Sequence, residues 1–236
     1  MGVALSLGSP SFGAGSPSEV ARLVSPDYRH LLIQQLSVAD DKAADWCAAI
    51  ENAPEANRNA IAFLLVNMPA DDLKSLSPAR VFQEVALANE TRSSTPWGKE
   101  IPDDLFLNDV LPYANTTEER DPWREDFHKQ FAPVVKDCKS ATEAAQLLNR
   151  TIFKATGVSY HATKRRKPDQ SPAESMKIGF ASCTGLSIML VDACRSVGIP
   201  AHRRRSDVER QQRQSHVGRV LGRRLALHRR GRARAA

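Results

Sequence analysis

A cysteine stands where a loop turns into an apolar helix. The run Gly-Phe-Ala-Ser before Cys183 is short and flexible, whereas Thr-Gly-Leu-Ser-Ile-Met-Leu after it is mainly apolar. Ser182 can cap a helix that begins at Cys183, and the unpaired N–H groups and positive dipole at such a helix start favour a thiolate. A thiolate attacks carbonyl carbons. The pattern therefore favours nucleophilic chemistry at Cys183, although a cysteine on an apolar helix is also typical of a packed core thiol.

The residues that follow predict the helix that positions this thiol. Apolar residues recur there at helical spacing and predict one buried face, formed by Leu186, Met189, Leu190, Ala193 and Val197. Gly198 supplies a C-terminal stop, and Ile199-Pro200 indicates the start of an extended segment. Cys194 lies deeper in the same helix, so we expect it in the core.

The block Ser171–Ala201, with its Ser-Cys-Thr-Gly-Leu-Ser sequence, resembles the nucleophile motif of the bacterial transglutaminase-like superfamily. A looser resemblance covers residues 104–201, including Leu107–Tyr113 and Asp121–Arg124. It implies a papain-like α+β fold in which Cys183 is the catalytic nucleophile and attacks an acyl or peptide carbonyl. The substrate would be a protein or peptide. A histidine, usually with an aspartate, should follow on antiparallel strands.

The expected histidine motif, of the form Gly-Asn-His-Thr-Trp-Val-Glu, is not found after Ala201. An arginine-rich run that begins His-Arg-Arg-Arg stands there instead. Read from the second base of each codon, with favourable synonymous codons, residues 201–219 can spell Arg-Ile-Ala-Gly-Ala-Pro-Met-Trp-Asn-Asp-Asn-Ser-Gly-Asn-His-Thr-Trp-Val-Glu. Each tryptophan needs a fixed base pattern, so a match of this length is hard to obtain by chance. We interpret the chain as frameshifted near Ala201, with little or no activity as written.

The charge of the chain divides at the same place. The net charge is +6, yet residues 201–236 hold twelve arginines against Asp207 and Glu209, so the first 200 residues are near −4. A basic tail can bind nucleic acid, but this one contains no aromatic residue for base stacking. With so few apolar residues it is predicted to be disordered. We therefore expect no nucleic-acid binding, and a basic nucleic-acid binder remains only a second alternative.

Most of the chain before residue 150 is predicted to be helical. The apolar spacing indicates helices at residues 28–39, 41–52, 57–67, 78–88, 123–135 and from 141 to 153, with Pro133 able to shorten the fifth. Ser140 and Ser171 each open a capping-box pattern, and residues 158–160 indicate a short strand. The predicted organisation is a flexible leader at 1–18, a helical region at 19–100, a partial transglutaminase-like core at 101–200 and the tail at 201–236. Residues 91–102 indicate a linker.

Three other features bear on function. The basic run Lys164–Lys167 indicates a solvated loop or, alternatively, attraction of an anionic substrate. His128 and His161 precede the nucleophile, whereas the family's histidine follows it, and His216 lacks a flanking tryptophan, so none of the three is assigned as the base. The four cysteines show no zinc-binding spacing, and neither a metal nor a cofactor is expected.

The prediction is thus an α+β chain that carries the first, helical half of a thiol enzyme for acyl transfer or peptide and amide hydrolysis. A non-catalytic helical interaction protein is the main alternative. No run of about 18 apolar residues predicts a membrane span, and the N-terminus lacks the basic start of a signal peptide. A cytoplasmic location is the default expectation.

Overall fold

Helices form where the sequence supplies a start signal and an apolar stripe. The structure, a computed structural model, describes residues 15–203, so the predicted tail from residue 204 and most of the predicted leader lie outside the described residues. The first seven helices are α1 (Pro17–Val20), α2 (Pro26–Val38), α3 (Ala43–Asn52), α4 (Glu55–Asn67), α5 (Ala70–Ser75), α6 (Pro78–Ser94) and α7 (Asp103–Asp109). The remaining elements are α8 (Trp123–Val135), α9 (Ala141–Thr156), β1 (Ser159–Tyr160), α10 (Pro172–Ile178), β2 (Phe180–Ala181) and α11 (Cys183–Ser196).

The predicted caps are met to different degrees. Ser171 and Glu174 form the complete capping box at the start of α10, with Pro172 in the first turn. Ser140 accepts from the backbone N–H of Glu143 at 3.2 Å, but the Glu143 carboxylate binds the N–H of Lys139 instead of returning to Ser140. The capping prediction for α9 is therefore only half right.

Helix α6 extends beyond its predicted end, whereas α8 keeps its predicted bounds. Helix α6 continues to Ser94, and Trp97 beyond it is buried, so the segment predicted as a linker is packed. Helix α8 runs through Pro133 to Val135 because Phe131 and Val135, on either side of the proline, are buried in the core. The proline removes one backbone hydrogen bond, the one that an N–H at this position would donate to the carbonyl of Lys129, and the helix ends two residues later.

The strands are short and adjacent to the candidate nucleophile. β1 and β2 pair in parallel, with Ser159 opposite Phe180 and Tyr160 opposite Ala181. Across residues 15–203 these are the two strands of the structure. The predicted fold class, an α+β core that is rich in helices and has little sheet, is confirmed for this part of the chain.

The apolar side chains form two clusters. The first is built by α1 to α7 and holds residues between 20 and 113, with Trp46 and Leu65 fully buried. The second surrounds α11 and is built largely by α8, α9 and α11. Met189, Ala193 and Val197 are buried in this second cluster. Helices α8 and α9 pack against this face, whereas Leu186 and Leu190, predicted for the same face, are only partly buried.

Candidate active site

Cys183 is the first residue of α11 and its side chain is exposed. Ser182 caps the helix: its hydroxyl accepts from the backbone N–H of Gly185 at 3.0 Å, and its carbonyl accepts from Leu186 at 2.9 Å. Among the described residues, the backbone N–H groups of Cys183 and Thr184 have no acceptor. The thiol therefore lies beside two free donors at the positive end of a 14-residue helix.

The other three cysteines lie in the core. Cys47, Cys138 and Cys194 are buried, and all four cysteines of the chain are free thiols. Burial raises the pKa of Cys194 to about 12, with the nearby Arg195 only partly offsetting the effect. Burial likewise raises the pKa of Cys47 and of Cys138. The prediction that Cys194 is a core residue is confirmed, and Cys183 is the thiol that reagents can reach.

The start of α11 is attached to the loop at residues 161–170, which joins β1 to α10. The Ser182 hydroxyl, which caps the helix, also donates to the carbonyl of Pro168 in that loop. On the strand side, the backbone N–H of His161 donates to the carbonyl of Ala181 at 2.9 Å, two residues before the thiol. The loop is thus hydrogen-bonded to the backbone on the approach to Cys183.

The far end of α11 is held by two buried arginines. The guanidinium of Arg195, which lies on α11, donates to the backbone carbonyl of Ala201 just after the helix. It also donates to three carbonyls of an earlier segment, those of Asp109, Pro112 and Ala114. Arg124, from α8, forms an ion pair with Glu84 at 2.7 Å and donates to the carbonyl of Arg195 at 3.3 Å. It also binds the carbonyls of residues 110–112. The segment 121–124 therefore supplies Arg124, and the segment 107–113 supplies carbonyls that both arginines bind, so both segments hold the end of α11 in place.

A buried carboxylate lies in the middle of α11. Asp192 is fully buried and accepts from the side-chain amide of Asn115 at 2.8 Å. Its second oxygen Oδ2 and the Asn115 oxygen Oδ1 have no hydrogen-bond partner. Burial raises the pKa of Asp192 well above its ordinary value, although the nearby Arg195 and the amide bond lower it. Protonation of Asp192 would supply a donor that the ionised group lacks.

No histidine in residues 15–203 places a ring nitrogen with a free lone pair beside the Cys183 thiol. His128 Nδ1 lies 2.8 Å from the Ser196 carbonyl, at the other end of α11 and roughly 20 Å from Cys183. His202 is paired with Asp109, also beyond that end. His30 is exposed on α2, in the half of the fold that holds the first cluster. His128 therefore lies too far from Cys183 to exchange a proton with its thiol.

His161 is the described histidine nearest to Cys183 along the strands. Its Nδ1 accepts from the backbone N–H groups of Thr163 at 3.2 Å and Lys164 at 3.1 Å, so the neutral ring carries its proton on Nε2. The ring packs edge-on against Phe180, with centroids 5.4 Å apart. In this arrangement His161 offers a donor and no free acceptor, which agrees with leaving it unassigned. His216 lies outside the described residues.

Three other features of the described residues were compared with the position of the thiol: a cavity, possible metal ligands and possible membrane helices. A cavity of about 360 Å³ lies on the side of the first cluster, away from the thiol, among residues that include Tyr28, Asn59 and Asp103. Within residues 15–203, no three His, Cys, Asp or Glu side chains converge as a metal site would require. The described helices also include none long and apolar enough to cross a membrane.

Residues 129–222 match the family model of the transglutaminase-like superfamily. The chain carries a transglutaminase-like domain. The matched residues include α9, β1, α10, β2 and the whole of α11, so Cys183 and its cap lie inside the transglutaminase-like segment. The match also continues past Ala201 and includes His216. No curated protein and no solved structure matches the chain.

The sequence did not identify the buried polar residues that position α11. Arg124, Arg195 and Asp192 are buried polar residues that hold or lie within α11. The signal for Asp192 and Arg195 was visible as charge inside an otherwise apolar helix, because charged residues are almost never fully buried without a partner. No comparable signal marks Arg124, since its partner Glu84 lies 40 residues away in the sequence.

Proposed function

We propose that this transglutaminase-like domain provides the nucleophile of a thiol acyl-transfer site, and that Cys183 is that nucleophile. One observation carries the proposal: within the family match, Cys183 is the exposed thiol, and it begins a capped helix whose first two N–H groups are free. The same N–H groups are suitably placed for an oxyanion that forms beside the sulfur.

The reaction proposed for this site has two steps. The Cys183 sulfur attacks the carbonyl carbon of an amide, the C–N bond breaks, and the released nitrogen takes a proton, so that a thioester and a free amine are formed. Water or a second amine then attacks the thioester carbonyl, and the sulfur leaves and recovers a proton. Water gives a carboxylic acid and hydrolysis, whereas an amine gives a new amide and acyl transfer. The residues around Cys183 fit either outcome.

The proton shuttle for these steps needs an imidazole, and two sources are open to experiment. The first is the histidine spelled by the second reading frame after Ala201, which this chain does not contain. The second is His216, which lies within the family match and outside the described residues. We favour the first, so the chain is expected to turn over slowly, because loss of a general base typically removes about 10²–10⁴-fold in rate. The DNA sequence across codon 200, compared with related genes, tests the frame directly.

Thiol labelling tests the assignment of Cys183. Native protein is treated with iodoacetamide at pH 7 and the modified residues are identified by peptide mass spectrometry. One equivalent should react at Cys183, and Cys183→Ser should abolish the rapid phase. Cys194→Ser is the matched control and should leave that phase unchanged, because Cys194 is buried. If the four cysteines react equally slowly in the folded protein, the nucleophile assignment is wrong.

Activity assays separate a slow enzyme from a non-catalytic interaction protein. Incorporation of a fluorescent primary amine into a glutamine-containing protein reports transfer, and release of ammonia or a new amino terminus reports hydrolysis. Weak activity that disappears in Cys183→Ala supports the proposal. Fast turnover that is unaffected by replacing all three histidines after Ala201 (H202Q/H216Q/H228Q) would contradict the need for an imidazole supplied there. Rapid labelling of Cys183 without any turnover, even in a chain restored to the second frame, would favour the interaction protein.

A further inference from the structure

The basic run at residues 164–167 lies beside the proposed nucleophile. At one end of the run, the Lys164 ammonium lies 5.5 Å from the centre of the Phe180 ring, three residues before Cys183. At the other end, Pro168 accepts the hydrogen bond from Ser182, the residue before the thiol. The run is therefore attached at both ends to the segment that leads into α11. Residues 164–166 lie within two to four residues of Pro168, which limits how far they can extend from it.

The charges in this run do not have the same role. Lys167 lies 3.3 Å from the carboxylates of both Glu119 and Glu174, so its charge is compensated within the fold. Among the described residues, Lys164, Arg165 and Arg166 have no acidic partner. The nearest acidic residue in sequence, Asp169, accepts a hydrogen bond from Thr117. Three positive charges on the loop that adjoins the thiol thus have no ion-pair partner, and the Asp169 carboxylate and the second carboxylate beside Lys167 offset part of them.

Position and charge together restrict which substrates suit this site. A Debye length at physiological salt is about 8 Å, so these charges act on groups that approach the loop where it is attached to the start of α11. They favour anionic molecules and disfavour cationic ones, and arginine side chains in addition pair with carboxylates through two parallel hydrogen bonds.

We propose that Lys164, Arg165 and Arg166 select acidic acyl donors, namely peptides that carry aspartate or glutamate side chains close to the amide attacked by Cys183. The proposal rests on Cys183 being the nucleophile, and it adds the substrate class. The loop binds the substrate carboxylates, and the acyl carbon is thereby brought to the sulfur. The body of the chain is itself slightly acidic, so the basic loop is a local exception on a surface that otherwise repels such peptides.

Paired alkylating reagents measure the local charge without requiring turnover. Iodoacetate and iodoacetamide attack the same sulfur but differ in charge, so the ratio of their rates at Cys183 reports the field of the loop. Replacing the three residues (K164Q/R165Q/R166Q) should lower the iodoacetate rate relative to iodoacetamide by about three- to ten-fold at low salt, and 1 M NaCl should abolish the difference. The matched control (K99Q/K136Q/K139Q) removes the same charge from exposed lysines outside the loop and should leave the ratio unchanged.

Peptide protection tests the substrate class on the full chain. A hexaglutamate peptide should slow iodoacetamide labelling of Cys183 in the wild type and not in K164Q/R165Q/R166Q, whereas a hexalysine peptide should protect neither protein. Equal reagent ratios in the wild type and the triple variant, or no protection by hexaglutamate, would overturn the inference. Slow labelling of Cys183 by the neutral reagent would instead argue against the proposed function. The absolute rate and the ratio therefore report the two proposals separately.

Discussion

Arg124 and Glu84 form a buried ion pair that joins the two halves of the fold. The Arg124 Nε donates to the Glu84 Oε2 at 2.7 Å, and the side chains are only 1% and 5% exposed. Glu84 belongs to α6, and Arg124 belongs to α8, which packs against α11. The same guanidinium lies 4.6 Å from the centre of the Trp123 ring and binds the carbonyl of Arg195. One side chain therefore links the first cluster to the end of the nucleophile helix.

Removal of Arg124 alone should be strongly destabilising. Arg124→Met leaves the Glu84 carboxylate buried without its partner, which should lower the free energy of unfolding by about 3–5 kcal/mol. Adding Glu84→Met removes the stranded charge, so the double variant should be more stable than Arg124→Met. Urea unfolding followed by circular dichroism measures both. Lys129→Met, which breaks the exposed pair with Glu125, is the control and should stay near the wild type.

Asp192 should make the stability of the protein fall as the pH rises. Burial raises the pKa of this carboxyl in the folded state, opposed by the nearby Arg195 and the Asn115 bond, while Glu118 adds to the rise and Arg124 lowers it. The folded state therefore holds a proton that the unfolded state releases above its ordinary pKa of about 3.9. Stability is greatest below that value and decreases, by up to about 1.4 kcal/mol per pH unit, until the pH passes the folded pKa.

Asp192→Asn tests this dependence, because an amide has the shape of the neutral acid and does not titrate. Urea unfolding between pH 5 and pH 8 should show a smaller loss of stability with pH in Asp192→Asn than in the wild type. Asp104→Asn changes an exposed carboxylate and should keep the wild-type dependence. A wild-type slope that is unchanged in Asp192→Asn would show that the carboxyl is ionised in the folded protein.

The helix starts and ends near Cys183 could be predicted because their signals are local in the sequence. The residues that pack against α11 could not be predicted because they are distant in the sequence. Ser171, Ser182 and Gly198 each act on residues within one helical turn, so their roles as caps and stops could be inferred from the sequence. Helices α8 and α9 pack against α11 through contacts between residues that are far apart in the chain. For example, the indole N–H of Trp97 binds the carbonyl of Val197, 100 residues later. Spacing along one helix carries no information about such partners.

Gly198 should tolerate substitution less well than Gly157. Both glycines adopt a left-handed backbone, with φ of 75° and 69°, so alanine costs about 1–2 kcal/mol at either position. At Gly198, an added Cβ would also lie 3.0 Å from the Thr91 Cγ2 and 3.2 Å from the Thr95 Oγ1, whereas nothing lies within 4 Å at Gly157. The thermal unfolding midpoint of Gly198→Ala should therefore be lower than that of Gly157→Ala. An equal loss in the two variants would mean that the chain after α11 moves freely away from α6.

Ser182 should affect both the stability of the fold and the reactivity of Cys183. Its hydroxyl caps α11 through the N–H of Gly185 and holds the loop through the carbonyl of Pro168. Ser182→Ala should lower the free energy of unfolding by about 0.5–2 kcal/mol, as loss of a cap does. It should also slow labelling of Cys183 and weaken the preference for iodoacetate, because the helix start and the basic loop are no longer held together.

Ser140 provides the matched control for this prediction, since its hydroxyl caps α9 through the N–H of Glu143 and, among the described residues, forms no hydrogen bond to α11. Ser140→Ala should lower stability by a similar amount and leave the reactivity of Cys183 at the wild-type level. Both variants are compared at a urea concentration where each remains folded, so that labelling reports the native state. If the two variants label alike, the cap at Ser182 contributes to folding and does not position the thiol.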